Sequence, residues 1–297
     1  MALGNFDGVH LGHQAVLRRA VEEGRRRGAR VVAATFDPHP RAILGPGVQP
    51  KLLTTLELRR EALLRYGADE VQVIQFDVDL STKSPKEFVR GVLVAEIGAE
   101  VVVVGENFRF GYRAAGDVEE LERLMQSCGG EAYAVAVRGE PGKGGISSTR
   151  IRELVAEGEV DEAVKLLGRP YVLRGEVVVG DQRGRSIGFP TANVHPDPAV
   201  VIPARGVYAG FVRVGKTPHP GCINVGVAPT FERGESRIEA YLLDYGGDLY
   251  GRVVDVDFVR RIRPEKKFSG VEELKEQIAR DVEEARRITN DTIWCMW

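Results

Sequence analysis

Short apolar runs alternate with amphipathic segments along the first half of the chain. The apolar runs are residues 31–36, 71–76, 101–105 and 132–137. Continuous apolar runs of this length are typical of strands that are buried on both faces of a sheet. The segments between them place apolar side chains at helical spacing, at residues 13–27, 56–66, 85–97 and 117–128. This alternation predicts an N-terminal, Rossmann-like α/β domain with a parallel, doubly wound sheet.

The second half of the chain changes to extended segments separated by Gly, Pro and Asp. These segments are residues 171–179, 207–214, 223–227, 237–245 and 253–262. Two short helical segments precede them, and no long helical pattern returns until residues 271–288. The pattern predicts a small antiparallel β-barrel with a C-terminal helix. We place the boundary near Gly168-Arg169-Pro170, which gives domains of residues 1–167 and 168–297.

The composition agrees with an ordinary protein of two domains, since 297 residues exceed the usual size of one. A net charge of −2 gives no general attraction to nucleic acid, so we expect no such partner. Cys128, Cys222 and Cys295 are far apart and form no CxxC pair, which indicates free thiols in a reducing compartment. No apolar run reaches the roughly 18 residues of a membrane span, and residues 1–4 open without the basic stretch or apolar core of a signal peptide. We therefore expect a cytoplasmic protein without membrane partners.

The first candidate site is the string GNFDGVHLGH at residues 4–13, between the first strand and the first helix. Glycines let the backbone approach a phosphate, and a helix N-terminus offers free N–H groups and partial positive charge. His10 and His13 flank Gly12 and can donate hydrogen bonds to phosphate oxygens. A single histidine here is explained as a turn or capping residue. Two in one Gly-rich turn favour stabilisation of an α-phosphate under attack.

The pattern HxGH after a first strand resembles the signature of the nucleotidyltransferase superfamily. The longer string resembles the bacterial bifunctional riboflavin kinase/FAD synthetase family in particular. In that family a serine/threonine-rich turn completes the nucleotide site, and residues 146–152 match it here. The resemblance implies catalytic roles for His10 and His13. It implies ATP or phosphate binding by Gly4, Phe6, Asp7, Gly8, His10, His13, Ser147, Ser148, Thr149, Arg150 and Arg152. Helix capping by Ser148 or Thr149 is compatible with that role.

Two further strings of the first domain match the family, FDPHP at residues 36–40 and GENFRFG at residues 105–111. Both follow predicted strands, where a parallel sheet presents its ligand edge. Asn107 can hydrogen-bond the edge of a flavin ring, and Phe108 or Phe110 can pack on its face. Core packing is the alternative for these two aromatic residues. The resulting flavin-binding set is Pro38, Asn107, Phe108, Phe110 and, in the barrel, Asn224.

The second candidate site is the string GRSIGFPTAN at residues 184–193. Alternate residues of an extended segment point to one side, so the oxygens of Thr191 and Asn193 can converge. A hard cation such as Mg²⁺ accepts neutral oxygens when phosphates and water complete its shell. An ATP-dependent kinase also needs a carboxylate base. Glu239 is the candidate, because it alternates with the apolar Ile238 and Ala240 and so faces away from them.

The riboflavin kinase family resembles this half in its G-x-P-T-A-N loop, its glutamate on a later strand and its D-L-Y-G turn, here residues 248–251. The resemblance implies that Thr191 and Asn193 hold Mg²⁺. It implies that Glu239 is the catalytic base for the ribityl 5′-hydroxyl. Gly184, Gly188 and Pro190 are assigned to ATP phosphate binding.

The sequence thus predicts two ATP-dependent reactions, with riboflavin, FMN and ATP as substrates and FMN and FAD as products. One alternative is a kinase without adenylyl transfer, because the chain opens at Met1 inside the first strand whereas the family has residues ahead of it. Another alternative is a flavin-binding or flavin-sensing module that lacks chemistry. The oligomeric state stays open, a homo-oligomer included.

Overall fold

The computed structural model describes residues 1–44, 51–136, 145–180, 184, 187–227 and 236–292. By their contacts these residues form two units, Met1–Lys51 with Leu56–Ser148, and Leu52–Thr55 with Thr149–Trp297. The limits 1–167 and 168–297 stay a prediction for the two activities. Cys128 and Cys222 are free, and Cys295 lies outside the described residues. The described helices include none that is long and apolar enough to cross a membrane.

A parallel sheet of five strands forms the centre of the first unit, as the apolar runs predict. Its strands are β1 (Ala2–Leu3), β2 (Val32–Asp37), β3 (Glu70–Gln75), β4 (Val101–Gly105) and β5 (Glu131–Val135). Their order is β3-β2-β1-β4-β5, so the chain reverses direction across the sheet between β1 and β4. At such a point the loops after the two strands diverge and leave a crevice for ligands. The loops after β1 and β4 are the two that carry the predicted nucleotide and flavin motifs.

Helices flank this sheet. They are α1 (Leu11–Arg27), α2 (Pro40–Leu44), α3 (Leu56–Arg65), α4 (Val78–Thr82), α5 (Pro85–Glu87) and α6 (Val118–Ser127). A reciprocal pair of hydrogen bonds between Ser84 and Glu87 caps α5. The chain then continues as a π-helix, Phe88–Glu96, where the sequence predicts an ordinary helix over residues 85–97. Periodicity predicts a helix here but does not distinguish the wider turn.

The second unit is a closed antiparallel barrel of six strands, in the order β10-β7-β6-β11-β8-β9. The strands are β6 (Tyr171–Val178), β7 (Ala192–Pro196), β8 (Gly206–Val214), β9 (Thr217–Val227), β10 (Ser236–Leu242) and β11 (Val253–Pro264). The sequence predicts five of them. The sixth, β7, lies where we expect only a loop, and it pairs with both β6 and β10. The barrel class is confirmed, and the strand count is corrected.

Three helices belong to the second half of the chain, α7 (Ser148–Glu157), α8 (Val160–Leu167) and α9 (Val271–Asp291). Ala285 and Ile288 of α9 pack on Val207 and Ala209 of β8 and on Cys222 of β9. An ion pair at 2.7 Å between Arg263 Nη2 and Asp281 Oδ2 also attaches α9 to the end of β11. The C-terminal helix therefore covers one side of the barrel, as predicted.

The acidic side chain of Asp257 on β11 is fully buried. Burial raises the pKa of Asp257 to about 7, although the nearby Arg213, 3.1 Å away, opposes the shift. A folded-state pKa above the unfolded one means that the folded protein binds more protons between about pH 4 and pH 7. Its free energy of unfolding therefore falls as the pH rises through that range.

We expect Asp257→Asn to remove this part of the pH dependence. Between pH 5 and pH 8 the free energy of unfolding of the wild type should fall by at least about 1 kcal/mol more than that of the variant. Urea denaturation followed by circular dichroism at both pH values measures the difference. Parallel pH profiles would show that Asp257 is ionised throughout.

Candidate active sites

The loop between β1 and α1 holds a fixed, strained backbone. Phe6 has φ 50°, Gly8 φ 81° and Val9 φ 40°, all in the left-handed region. Glycine adopts such values freely, whereas a β-branched residue does so only when its surroundings require it. Here the Val9 N–H donates to Phe6 O at 3.0 Å, and Gln14 Nε2 donates to Val9 O at 2.9 Å. The loop is therefore held in one shape by the helix that follows it.

His10 and His13 lie stacked at the start of α1. Their ring centroids are 3.6 Å apart at an interplanar angle of 16°. His10 is the N-cap, and its Nδ1 accepts the His13 backbone N–H at 3.3 Å. Because Nδ1 accepts, the neutral His10 ring carries its proton on Nε2, which makes that atom a donor. The structure thus joins the capping and the proposed phosphate-binding roles in one residue.

The second histidine has an unused polar atom. Nδ1 of His13 is buried and has no hydrogen-bond partner among the described residues. Burial lowers the pKa of His13 well below its usual value, and the charges of His10 and Arg59 add to the shift. His13 is therefore neutral at physiological pH. A buried nitrogen without a partner beside a helix N-terminus fits a site that receives an anionic ligand.

The serine-rich turn meets this loop directly. Ser148 begins α7, and its Oγ donates to Asp7 O at 2.8 Å. Thr149, Arg150 and Arg152 follow in the same helix, where Arg152 Nη2 donates to Thr149 Oγ1 at 3.1 Å. The structure therefore brings Ser148 to Asp7, some 140 positions away in the sequence.

Arg59 of α3 is a charged residue of this region that the sequence analysis does not identify. Its side chain is 1% exposed, and its Nη1 donates to Thr35 Oγ1 at 3.3 Å and to Phe36 O at 3.2 Å. Thr35 Oγ1 in turn donates to Asn5 O at 2.9 Å. The buried guanidinium therefore attaches α3 to β2, and the Thr35 hydroxyl connects β2 to the residues that follow β1.

The predicted flavin residues follow β2 and β4 at the same edge of the sheet. Asn107 is exposed and Phe108 is half-buried. Phe110 is 6% exposed and packs against Phe88 in the core, with Phe108 stacked on it at 5.7 Å. Pro38 is half-buried after β2. Asn107 and Phe108 are thus accessible to a ligand, whereas Phe110 supports Phe108 from inside.

The barrel contains a cavity of about 470 Å³ beside the second motif. Its walls include Pro190, Thr191, Asn193, Tyr245, Leu249 and Tyr250. Thr191 and Asn193 therefore face a common space, and the predicted D-L-Y-G turn forms its other side. Gly184 fixes the loop ahead of them, because its carbonyl accepts Phe189 N–H at 2.8 Å. Gly188 has φ 91°, which a residue with a side chain rarely adopts.

Glu239 lies opposite Asn193 on β7 and opposite Asn224 on β9. Its neighbours Ile238 and Ala240 are fully buried, whereas its side chain is 28% exposed, so it faces away from the barrel core as expected. Asn224 Nδ2 donates to Glu239 Oε2 at 3.4 Å. This contact places Asn224 beside the candidate base.

Arg237 links the candidate base to the candidate metal ligand and is the second residue that the sequence analysis does not identify. Its Nε donates to Asn193 Oδ1 at 2.6 Å, and its Nη2 lies 3.1 Å from Glu239 Oε1. Arg237 and Glu239 are two positions apart on one strand, so they share a face. The spacing of two positions between Arg237 and Glu239 is the signal by which the sequence could have indicated Arg237.

Asn193 is the more buried of the two candidate metal ligands and stays a prediction in that role. Asn193 is 6% exposed, and its oxygen already faces the positive Arg237. Gly180 lies so close to Asn193 and Arg237 that any Cβ there would collide with both. Among the described residues no group of three or more His, Cys, Asp or Glu side chains could hold a metal ion. Neutral oxygens of Thr191 and Asn193 suit Mg²⁺ when phosphate oxygens complete the coordination.

Comparison with known proteins extends over both units. Residues 1–150 match the family model for FAD synthetase, and residues 167–289 match that for riboflavin kinase. The bifunctional riboflavin kinase/FMN adenylyltransferase of Listeria monocytogenes is 39% identical over 288 residues, 96% of this chain and 91% of the relative. The enzyme of the same name from Escherichia coli K12 is 39% identical over 287 residues, with the same coverage of both chains.

A solved structure shows the same arrangement of elements. The crystal structure described as a macrolide-efflux protein from Streptococcus pneumoniae superposes with a TM-score of 0.87 at 35% identity. The match covers 96% of this chain and 93% of that one. The family models and the relatives agree across nearly the whole length of the chain. This chain therefore belongs to the bifunctional riboflavin kinase/FMN adenylyltransferase family.

Proposed function

We propose that this chain makes both flavin cofactors, converting riboflavin and ATP to FMN and ADP in the barrel, and FMN and ATP to FAD and pyrophosphate in the first unit. The observation that carries the proposal is the presence of a complete set of candidate groups in each unit. In the first unit, the histidine pair and Ser148 converge on the β1–α1 loop. In the barrel, Arg237 connects Glu239 to Asn193.

In adenylyl transfer a phosphate oxygen of FMN attacks the α-phosphorus of ATP, and the bond to the β-phosphate breaks. The attacking oxygen is already an anion, so the protein needs only to position the two phosphates and stabilise the charge that develops. His10 Nε2 and the ring of His13 can donate to the α-phosphate. The amide groups at the start of α1 and the hydroxyl of Ser147 suit the remaining phosphate oxygens, while Ser148 holds the β1–α1 loop through Asp7.

The flavin of FMN is assigned to the loops after β2 and β4. The half-buried ring of Phe108, supported by Phe110, offers an aromatic face, and the exposed amide of Asn107 offers hydrogen bonds to the ring edge. Pro38 completes this side. The arrangement at a strand-order reversal agrees with the general position of ligands in parallel sheets.

In the kinase reaction the 5′-hydroxyl of riboflavin attacks the γ-phosphorus of ATP, and ADP leaves. Glu239 takes the hydroxyl proton as the new P–O bond forms. Asn224 and Arg237 hold its two carboxylate oxygens in place. Gly184, Gly188 and Pro190 shape the loop beside the ATP phosphates. Mg²⁺ held by Thr191 and Asn193 would neutralise negative charge on the phosphates.

Chromatographic analysis of products tests the two activities in a single chain. With riboflavin, ATP and Mg²⁺, we expect FMN to appear first and FAD afterwards. With FMN replacing riboflavin, we expect FAD and one pyrophosphate per FAD. Formation of FMN from riboflavin with no FAD in either incubation would leave a kinase alone, and absence of both products would leave only a flavin-binding protein.

A further inference from the structure

Arg59 is the largest fully buried side chain in the described part of the protein, and neither proposed reaction uses it. It stands on the apolar side of α3, whose other buried residues are Leu58, Ala62 and Leu63. Its Nη1 makes the two hydrogen bonds to β2, but Nε is buried with no partner among the described residues. A buried charge with incomplete hydrogen bonding costs stability, and an apolar residue would usually be tolerated better there.

The charge has clear neighbours. Asp7 lies in the β1–α1 loop and Asp37 ends β2, and both interact electrostatically with Arg59. Asp7 is 1% exposed. The Arg59 charge also lowers the pKa of His13 on α1. The hydrogen bonds from Arg59 to Thr35 and from Thr35 to Asn5 place the covered guanidinium next to the loop of the proposed adenylyl-transfer site.

The substrates explain why a positive charge is needed here. ATP and the phosphate of FMN are both anions, and they must meet beside the Asp7 and Asp37 carboxylates. Two fixed negative charges at that place would repel them unless a positive charge offsets them. An arginine remains charged even when it is buried.

We propose that Arg59 is a positioning residue of the adenylyl-transfer site, which holds Thr35, the hydrogen-bond partner of Asn5, and offsets the charge of Asp7 and Asp37 where the substrate phosphates meet. The inference rests on the proposed FAD synthesis in the first unit. Arg59 acts in two ways that can be tested separately. One is through its hydrogen bonds to Thr35 and Phe36, and the other is through its positive charge.

Three variants separate these effects. Arg59→Met removes the charge and keeps the length of the side chain, Arg59→Lys keeps the charge, and Thr35→Val removes the link to Asn5 while every charge stays. We expect kcat/KM for FAD synthesis to fall about 100-fold in Arg59→Met, less than about 10-fold in Arg59→Lys, and only a few-fold in Thr35→Val. FMN formation in the barrel should stay within about twofold in all three, which controls for folding and concentration.

Nuclear magnetic resonance of the histidine side chains gives a second measurement that a purely structural role would not change. The charged groups that act on His13 are His10 at the start of α1 and Arg59 on α3, and Arg59 in turn interacts with Asp7 and Asp37. Without the Arg59 charge, we expect His13 to titrate at higher pH in Arg59→Met. Its titration should match the wild type in Arg59→Lys and Thr35→Val.

Equal losses of FAD synthesis in Arg59→Met and Thr35→Val, or an unchanged His13 titration in Arg59→Met, would overturn the proposal. If Arg59→Met does not fold, Arg59→Lys decides, because a loss above about 100-fold there contradicts a role of charge. A wild type that makes no FAD would contradict the proposed function instead. In that case the His13 titration still tests where the Arg59 charge acts.

Discussion

Glu239→Gln is expected to lower the rate of FMN formation about 1000-fold, because glutamine cannot accept the proton of the attacking hydroxyl. The substitution keeps the size of the side chain, and its carbonyl oxygen can still accept from Arg237. The KM for riboflavin should therefore change little, and the loss should appear in kcat. Coupled measurement of ADP release with riboflavin and ATP gives both constants.

The same variant should make FAD from supplied FMN at the wild-type rate, since the histidine site lies in the other unit. Glu176→Gln is a matched control, because Glu176 is an exposed glutamate on a strand of the same barrel. We expect that control to keep both activities within about twofold, as surface substitutions usually do. Equal loss of both reactions in Glu239→Gln would mean that the two units do not divide the chemistry as proposed.

His10→Asn is expected to lower FAD synthesis about 100- to 1000-fold and to leave FMN formation unchanged. The range corresponds to loss of one hydrogen-bond donor to the charge that develops in the transition state. Asparagine is a good N-cap residue, so α1 should still begin at the same place. The measurement is FAD formation from FMN and ATP under saturating substrate.

His10→Ala separates capping from chemistry. Alanine removes both the imidazole and the cap, whereas asparagine removes only the imidazole. If FAD synthesis is lost equally in both variants, the imidazole carries the role. Activity that survives in His10→Asn and disappears in His10→Ala would assign His10 to helix capping alone.

The sequence predicts the fold class and the two motifs well because both depend on local patterns. The parallel strands of the first unit are continuous apolar runs, and HxGH is contiguous. The strand β7 is missed because it begins inside a string rich in turn residues and ends at Pro196, and its pairing with β6 and β10 depends on residues far away in the chain. Closure of the barrel is nonlocal for the same reason.

The two arginines show what pattern analysis leaves out. Arg59 occupies a position one turn before Ala62 and Leu63, so a charge on the apolar face of α3 was the available signal. Its link to Asn5 through Thr35 joins three separate segments, which spacing along the chain does not reveal. Arg237 is similar, because its bond to Asn193 crosses from β10 to β7.

The strained backbone of Phe6 and Val9 determines when the free-energy cost of ordering the β1–α1 loop arises. A loop that is forced into shape by folding does not have to be reshaped when each nucleotide arrives. The free-energy cost of ordering the loop arises once, when the chain folds, and not again in every catalytic cycle. The enzyme can therefore exchange thousands of ligands through a site whose hydrogen-bond donors are already in place.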